Sequence, residues 1–269
     1  MKRAELDSFS AGTPKAARSL KNSLPRIAVN ISDLFSKRSV LGPDEVHVWQ
    51  AKLDDRLLDS LATFLSQDER ERGKKFRFAR DQNRFIVGRG LLRAILSSYV
   101  GTAPHDLNFS YGDKGKPALA GMGNSIRFNL AHSGEMAVYA VSLNRELGID
   151  LEYFREELAD EDVARRFFSA CEVRSLFSIP VEIRRVAFFN CWTRKEAYIK
   201  ARGEGLSMPL QNFDVAFEPG KPAALVRNHV DPIESVRWSM KALDVPPGYA
   251  AALVVEGQDW QLKRFDLHL

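Results

Sequence analysis

Residues 137–152 read AVYAVSLNRELGIDLE, and this stretch decides the class of fold. Two apolar runs, 137–143 and 147–151, flank the turn-forming pair Asn144-Arg145. Runs of this length and composition predict two strands joined by a tight turn. Further out in both directions the apolar residues recur at a helical spacing, so the fold must combine strands with helices.

The elements expected around these strands do not alternate regularly as strand and helix. Before them we expect a strand at 46–49, a helix from residue 57, a capping box at Ser66–Glu69 and a helix at 81–99. After them we expect helices at 160–168, 170–177 and 183–201, and strands at 213–217, 236–243 and 249–255. This order predicts an α+β fold rather than a doubly wound parallel sheet. Because strand, helix, helix and strand recur on either side of residue 145, we expect two similar-sized halves, 41–145 and 146–269.

Composition and charge are those of a folded protein. Of the 269 residues, 45% are hydrophobic and 28% charged, which excludes the disordered and fibrous classes. The formal net charge is +4, but residues 1–40 hold eight basic side chains against three acidic ones, so the remainder is nearly neutral. Rich in Ser, Gly and Pro and without periodicity, residues 1–40 are expected to form a mobile extension, with the folded part beginning near Val46.

The cysteines and the lengths of the apolar runs indicate where in the cell the protein is located. Cys171 and Cys191 lack a CxxC partner spacing, which argues against a zinc site and a disulfide framework. No run reaches the ~18 apolar residues of a membrane span. The N-terminal residues also lack the ~7–15-residue apolar core of a secretory signal. We therefore expect a cytoplasmic location and no membrane partner, although the Arg-, Ser- and Ala-rich start leaves a weak organelle-targeting segment open.

Two acidic residues lie at the end of the predicted strand 147–151, one within it and one directly after it. Side chains alternate along a strand, so Asp150 and Glu152 share one face while Ile149 and Leu151 share the other. Two carboxylates this close repel each other unless a cation lies between them. A metal ion would meet that requirement. A solvated acidic face is the alternative, since residues 144–162 hold eight acids against two basic residues.

A third carboxylate lies on the apolar stripe of the helix at 183–201. Glu196 falls at the same helical spacing as Trp192 and Ile199. A buried carboxylate needs a partner. Lys200, four residues further on, would supply an ion pair. If Glu196 instead faces the two strand carboxylates, the three form an all-oxygen site of the kind that suits Mg²⁺.

Other residues are candidates for binding phosphate. His132 precedes a Ser-Gly turn whose amides suit an anion, although a lone histidine is more often structural. From Glu69 to Arg93 there are nine basic residues against three acids, which is typical of a solvated helix, a nucleic-acid surface or a site for a phosphate-rich ligand. Lys116 lies in a glycine-centred turn, a weak signal on its own.

Four segments occur together in the order found in one family. They are GKP at 115–117, FNLAHSG at 128–134, GIDLE at 148–152 and WTRKEAYIK at 192–200, followed by GEGLS at 203–207. In these segments, and over roughly residues 46–255, the sequence resembles the Sfp-type 4′-phosphopantetheinyl transferases. These enzymes activate the carrier proteins of fatty acid, polyketide and non-ribosomal peptide synthesis. The resemblance implies a pseudo-twofold α+β arrangement of two α/β halves with coenzyme A bound between them.

The resemblance also implies a metal site and residues that act on the phosphates. Asp150, Glu152 and Glu196 match the family's acids that hold Mg²⁺ against the pyrophosphate of coenzyme A. Lys200 and His132 match residues that stabilise charge on the phosphates. Glu196 is in addition a candidate for accepting the serine proton of the carrier, directly or through water.

Three further matches concern coenzyme binding. Arg84 matches an arginine that grips the 3′-phosphate, and Lys116 matches a coenzyme-contacting lysine. Arg72 is a weaker match to a lysine that shares the 3′-phosphate. The sequence departs from the family at Ala131, where a serine is often found, and at Glu69, where some members have a basic residue.

The implied activity is Mg²⁺-dependent transfer of 4′-phosphopantetheine from coenzyme A to a serine of an apo acyl, polyketide or peptidyl carrier protein, with release of adenosine 3′,5′-bisphosphate. The residues alone leave two alternatives open. The acids would also suit another Mg²⁺-dependent phosphotransferase or a nuclease, and the basic run would suit nucleic-acid binding. The four ordered segments favour the transferase, so we expect no nucleic-acid partner.

Overall fold

The computed structural model describes residues 25–121, 125–155, 159–205 and 208–268. Its helices are α1 (Asp33–Ser36), α2 (Leu58–Ala62), α3 (Gln67–Gly73), α4 (Ala79–Val100), α5 (Glu161–Phe167), α6 (Ala170–Ser178), α7 (Val181–Arg202) and α8 (Glu234–Arg237). Its strands are β1 (Arg26–Asn30), β2 (Glu45–Lys52), β3 (Phe109–Tyr111), β4 (Pro117–Leu119), β5 (Ile126–Ser133), β6 (Met136–Leu143), β7 (Leu147–Tyr153), β8 (Phe213–Ala216), β9 (Ala224–Asn228), β10 (Trp238–Ala242), β11 (Tyr249–Glu256) and β12 (Gln261–His268). The predicted α+β class is confirmed.

Two sheets form the frame of the protein. The first has the strand order β1-β12-β2-β6-β5, and the second has the order β10-β11-β7. The strands predicted at 137–143 and 147–151 are β6 and β7, and they belong to different sheets. Strand β6 pairs with β2 and β5, while β7 pairs with β11. The turn between them, with Asn144 at φ 55°, therefore carries the chain from one sheet to the other.

The sheets pack against each other, with one long helix on the outer side of each. Apolar side chains of both sheets, among them Ala131 and Ile149, form the core between them. The 22-residue helix α4 covers the first sheet, and the 22-residue helix α7 covers the second. Each half is therefore built around one larger sheet and one long helix, and each also has a two-stranded sheet, β3-β4 in the first and β8-β9 in the second. In the described part of the chain, no helix combines the length and apolar character needed to cross a membrane.

The folded part begins earlier than the sequence predicted. Strand β1 pairs in parallel with β12, and Arg26 forms ion pairs with Asp244 at 3.0 Å and Asp266 at 3.2 Å. The expectation of a mobile extension is therefore wrong for residues 25–40, while residues 1–24 lie outside the described residues. Strand β12 lies between β1 and β2, so the last strand of the chain completes the sheet of the first half.

Helix α7 lies very close to β7 because residue 148 is a glycine. A Cβ atom on Gly148 would lie 2.2 Å from the carbonyl oxygen of Ala197 and 2.3 Å from the backbone nitrogen of Ala201. Real Cβ contacts are never this short, so any side chain would push the helix away. Asp150 and Glu152 share the strand face of Gly148 and so face α7 at short range. Of the predicted segment 203–207 that follows the helix, residues 206 and 207 lie outside the described residues.

Candidate active site

Asp150 is the most buried of the three predicted metal ligands. It is 4% exposed, and its Oδ1 accepts a hydrogen bond of 2.6 Å from Lys200 Nζ. Its Oδ2 is also buried, and within the described ranges of the chain it has no hydrogen-bond partner. Lys200 thus bonds across to the strand, rather than in the pair with Glu196 that the helical spacing suggested. Lys200 thus leaves one oxygen of the Asp150 carboxylate without a hydrogen bond among the described residues.

Glu152 is held by a serine from the other sheet. Ser133 Oγ donates to Glu152 Oε2 at 2.8 Å and accepts from the Tyr153 backbone N–H at 3.0 Å. Burial raises the pKa of the Glu152 carboxyl, and the Asp150 charge raises it further, while the Ser133 hydrogen bond opposes them. The charges of Lys200 and Arg155 also oppose the rise, and Arg155 Nη2 lies 3.9 Å from Oε2, but the pKa of Glu152 is still raised.

Glu196 completes the acidic group from the helix side. It is half-buried, and this burial raises its pKa to about 7. Asp150 and Glu152 also raise the pKa, whereas Lys200 lowers it. Since the Asp150 charge disfavours ionisation of both glutamates, a cation would stabilise the group as a whole.

The three carboxylates fit a magnesium ion in their chemistry. Mg²⁺ prefers carboxylate oxygens and keeps several coordination positions for water and phosphate. The unpartnered Oδ2 of Asp150 and the raised pKa values of Glu152 and Glu196 are the features expected where a positive charge binds. Within the described ranges, however, no group of three His, Cys, Asp or Glu side chains is arranged so that it could hold a metal ion as it stands. The donors suit the ion, but their positions would have to adjust around it.

Two side chains of β5 align this strand with β7, although the strands belong to different sheets. Asn129 Oδ1 accepts from the Ile149 N–H at 3.0 Å, and Ser133 Oγ accepts from the Tyr153 N–H at 3.0 Å. The two bonds have the same offset in sequence, so the strands run side by side. The FNLAHSG and GIDLE segments are thereby brought together.

His132 is exposed on β5 and precedes Ser133, the residue that binds Glu152. Neighbouring protein atoms displace water from around its ring and lower the pKa of the imidazole, and the charges of Lys200 and Arg84 lower it further. His132 is therefore favoured in its neutral form, which donates a hydrogen bond from one ring nitrogen only. The structure thus brings Lys200 and Arg84 within electrostatic reach of His132, and Lys200 is the residue that binds Asp150.

Lys116 has a structural role in addition to its predicted coenzyme contact. Its Nζ donates to Glu146 Oε2 at 3.2 Å and to the carbonyl oxygens of Leu147 and Ala201 at 3.1 and 3.2 Å. These bonds tie the chain before β4 to the start of β7 and the end of α7. Desolvation lowers the pKa of Lys116. The same lysine lines a cleft of about 420 Å³ together with Phe128 and other residues of the junction between the halves.

The basic run from Glu69 to Arg93 divides into two groups. Glu69 is 2% exposed and accepts from Arg93 Nε at 2.6 Å and from Arg89. These two arginines therefore stabilise the fold and cannot grip a ligand, which corrects the reading of the run as one surface. Arg72 is exposed, with its guanidinium carbon 5.5 Å from the ring centre of Phe85.

Sequence reasoning missed the contribution of Asn129 and Ser133. The pattern of residues 128–134 predicts a turn after His132 and assigns no contact to either residue. A usable signal exists in hindsight, because Asn129, Ala131 and Ser133 alternate on the strand face that points into the core between the sheets. Polar side chains at such positions require partners.

Comparison with known proteins identifies the family. A family described as "4′-phosphopantetheinyl transferase superfamily" matches residues 146–254, and one described as "4′-phosphopantetheinyl transferase, N-terminal" matches residues 47–144. The 4′-phosphopantetheinyl transferase HetI of Nostoc sp. is 40% identical over 224 residues, which cover 82% of this chain and 91% of that protein. The 4′-phosphopantetheinyl transferase Sfp of Bacillus subtilis is 29% identical over 199 residues, 74% of this chain and 85% of that protein.

The chain therefore belongs to the 4′-phosphopantetheinyl transferase superfamily and, within it, to the Sfp type, as the sequence predicted. It is accordingly an enzyme, a transferase of phosphopantetheine. A further relative, the transferase ffp of Bacillus subtilis, is 30% identical over 203 residues, 75% of this chain and 87% of that protein.

Proposed function

We propose that this enzyme uses coenzyme A as donor and a serine of an apo acyl, polyketide or peptidyl carrier protein as acceptor. The serine oxygen forms a bond to the phosphorus that bears pantetheine, and the bond from that phosphorus to the bridging oxygen of the pyrophosphate breaks. Adenosine 3′,5′-bisphosphate leaves, and the serine proton passes to a base. The observation that carries the proposal concerns Asp150. Lys200 binds one of its oxygens, while the other is buried without a hydrogen-bond partner among the residues described.

Asp150, Glu152 and Glu196 would hold Mg²⁺, which when bound supplies neutralisation of the charge on the pyrophosphate. The other contributions come from the protein itself. Glu196, whose pKa is raised to about 7, is partly ionised at neutral pH and can accept the serine proton. Lys200 remains cationic beside the acids, because Asp150 raises its pKa against the opposing effect of burial.

The remaining phosphate ligands come from the first half of the chain. His132, neutral and next to Lys200, would donate a hydrogen bond to a phosphate oxygen. Arg84 would bind the 3′-phosphate, with Arg72 further out on the exposed surface. Lys116 would contact the coenzyme from the cleft that it lines. Phosphoryl transfer of this kind depends mainly on positioning and charge neutralisation, which these residues provide.

The test is an intact-mass assay with the full chain, coenzyme A, Mg²⁺ and a panel of apo carriers from fatty acid, polyketide and peptide synthesis. We expect at least one carrier to gain the mass of one phosphopantetheine, and its Ser→Ala variant to gain none. Asp150→Asn keeps the shape of the side chain and an oxygen for Lys200 but removes the charge, so transfer should fall at least 100-fold in a folded protein. Near-normal transfer by this variant contradicts the metal assignment. Hydrolysis of nucleic acid without any transfer would instead favour a nuclease.

A further inference from the structure

Ser133 connects the two sheets at the carboxylate group. It is the last residue of β5, is 5% exposed, and makes two hydrogen bonds to β7. One bond is accepted from the backbone of Tyr153, and the other is donated to the side chain of Glu152. A residue of the first half thus contacts a candidate metal ligand of the second half.

The direction of these bonds is fixed by chemistry. A backbone N–H can only donate, so the bond from Tyr153 uses a lone pair of the Ser133 oxygen. The single hydroxyl proton is then available to Glu152, and it lies 2.8 Å from Oε2 by the distance between the heavy atoms. A hydroxyl that donates to one oxygen of a carboxylate restricts rotation of the carboxylate and leaves the second oxygen available to a cation.

The serine is itself held in place. Gly134, at φ 58°, starts the turn to β6, and the next residue, Glu135, donates its N–H to Tyr249 Oη at 3.2 Å. The ring of Tyr249 in turn contacts the ring of Tyr153 edge to face, with their centres 5.1 Å apart. The hydroxyl of Ser133 therefore has little freedom to turn away from Glu152.

We infer that Ser133 is a positioning residue that orients Glu152 for a divalent cation. The inference rests on the proposed function, in which Glu152 is one of three magnesium ligands. Residues that orient a metal ligand typically contribute about 10–100-fold to metal affinity. Assembly of the metal site thus depends on correct packing of one half against the other.

The chain offers a matched control at Asn129. Its side chain makes the same kind of bond between the sheets, to the Ile149 N–H at 3.0 Å, but the partner is a backbone group and not a carboxylate. Loss of Asn129 removes one bond between β5 and β7, as does loss of Ser133. Only loss of Ser133 also removes a hydrogen bond to Glu152, whose Oε2 then keeps its ion pair with Arg155 at 3.9 Å.

The experiment measures binding of Mn²⁺, as a paramagnetic probe for the magnesium site, to the full chain without substrates by electron paramagnetic resonance. Urea unfolding of each metal-free variant reports stability. We expect Ser133→Ala to weaken Mn²⁺ binding about 10–100-fold. Asn129→Ala should change it less than about 3-fold at a similar loss of stability, and Ser133→Thr, which keeps the hydroxyl, should bind more tightly than Ser133→Ala.

A double-mutant cycle with Glu152→Gln gives a second reading. If Ser133 acts through Glu152, removing the hydroxyl has no further effect on Mn²⁺ binding once the carboxylate is gone. Equal losses in Ser133→Ala and Asn129→Ala would overturn the inference. So would unchanged binding by Ser133→Ala alongside loss of binding by Asp150→Asn, an outcome that leaves the proposed function standing. Failure of the wild-type chain to bind Mn²⁺ would overturn the metal assignment and this inference together.

Discussion

Lys200 Nζ lies 2.6 Å from Oδ1 of Asp150, and this bond joins the last turns of α7 to the middle of β7. Burial alone would lower the pKa of Lys200, but Asp150, with smaller contributions from Glu196 and Glu152, more than compensates, so the pKa is raised and the lysine stays charged. Oδ2 of Asp150 has no hydrogen-bond partner in the part of the chain that the structure describes. Lys200 thus binds one oxygen of a buried carboxylate and leaves the other oxygen for a second positive charge.

Replacement of Lys200 by methionine is expected to harm both stability and activity. The variant leaves Asp150 buried without an ion pair, a change that typically costs several kcal/mol in a dry site. Since the lysine side chain is 31% exposed, we expect a smaller loss of about 2 kcal/mol in the free energy of urea unfolding. Transfer to an apo carrier should fall at least 100-fold.

A second substitution tests whether that loss comes from the ion pair. Asp150→Asn added to Lys200→Met should restore part of the stability, because the unpaired charge is then removed. Activity should stay low in the double variant. If the two substitutions are instead additive, so that the free energy of unfolding of the double variant falls by the sum of the two single losses, the residues are not coupled.

The elements next to the site could be predicted because their signals are local. The predicted helix at 183–201 is α7, and the predicted strand at 147–151 lies within β7. The capping box at Ser66–Glu69 is also confirmed. Strand β1 could not be predicted, because its stability comes from pairing of Arg26 with Arg264 and the residues that follow, a contact between opposite ends of the chain.

The arrangement of the site was only partly accessible from sequence. Alternation along the strand was enough to place Asp150 and Glu152 on one face. The partner of Lys200 was not accessible, because a spacing of four residues on a helix favours a pair with Glu196. The close approach of α7 to Gly148 brings Asp150 nearer to the lysine, and that distance is a property of tertiary packing.

Gly148→Ala tests whether this close approach is required. The added methyl group would lie 2.2 Å from the Ala197 carbonyl oxygen, so α7 must shift or the variant must unfold. We expect a loss of about 3 kcal/mol or more in the free energy of unfolding, and weaker transfer in whatever protein folds. Gly112→Ala is the control, since its Cβ would have 3.8 Å to the nearest atom, the Lys116 carbonyl oxygen. Similar stability of the two variants contradicts the packing argument.

The basic run 69–93 contains buried arginines paired with Glu69 and exposed ones, so substitutions in the two groups should have different effects. Glu69→Gln leaves Arg89 and Arg93 buried without a counter-charge, so we expect about 3 kcal/mol of destabilisation by urea unfolding. Arg72→Ala alters an exposed side chain and should leave stability within about 0.5 kcal/mol, while raising KM for coenzyme A. A stable Glu69→Gln protein with an altered KM for coenzyme A would instead place Glu69 in the coenzyme site.

The raised pKa of Glu196 predicts a dependence of stability on pH in the metal-free protein. Burial raises this pKa to about 7, whereas the ordinary value expected in the unfolded chain is 4.5. Between these values the folded state holds a proton that the unfolded state has released, so the contribution to the free energy of unfolding falls as pH rises. It is complete below about pH 4.5 and lost above about pH 7.

Glu196→Gln isolates this effect, because glutamine has a similar shape and does not ionise. Relative to the variant, the metal-free wild type should lose roughly 1–3 kcal/mol of stability between pH 5 and pH 8, measured by urea unfolding at fixed ionic strength. Titrating groups that do not interact with Glu196 contribute equally to both proteins and cancel in the difference. Saturating Mg²⁺ should stabilise the wild type more than the variant at pH 8, because a cation compensates the ionised carboxylate that the glutamine lacks. A difference between the two proteins that does not change with pH would mean that Glu196 titrates as an ordinary glutamate, and its assignment as the base at neutral pH would fail.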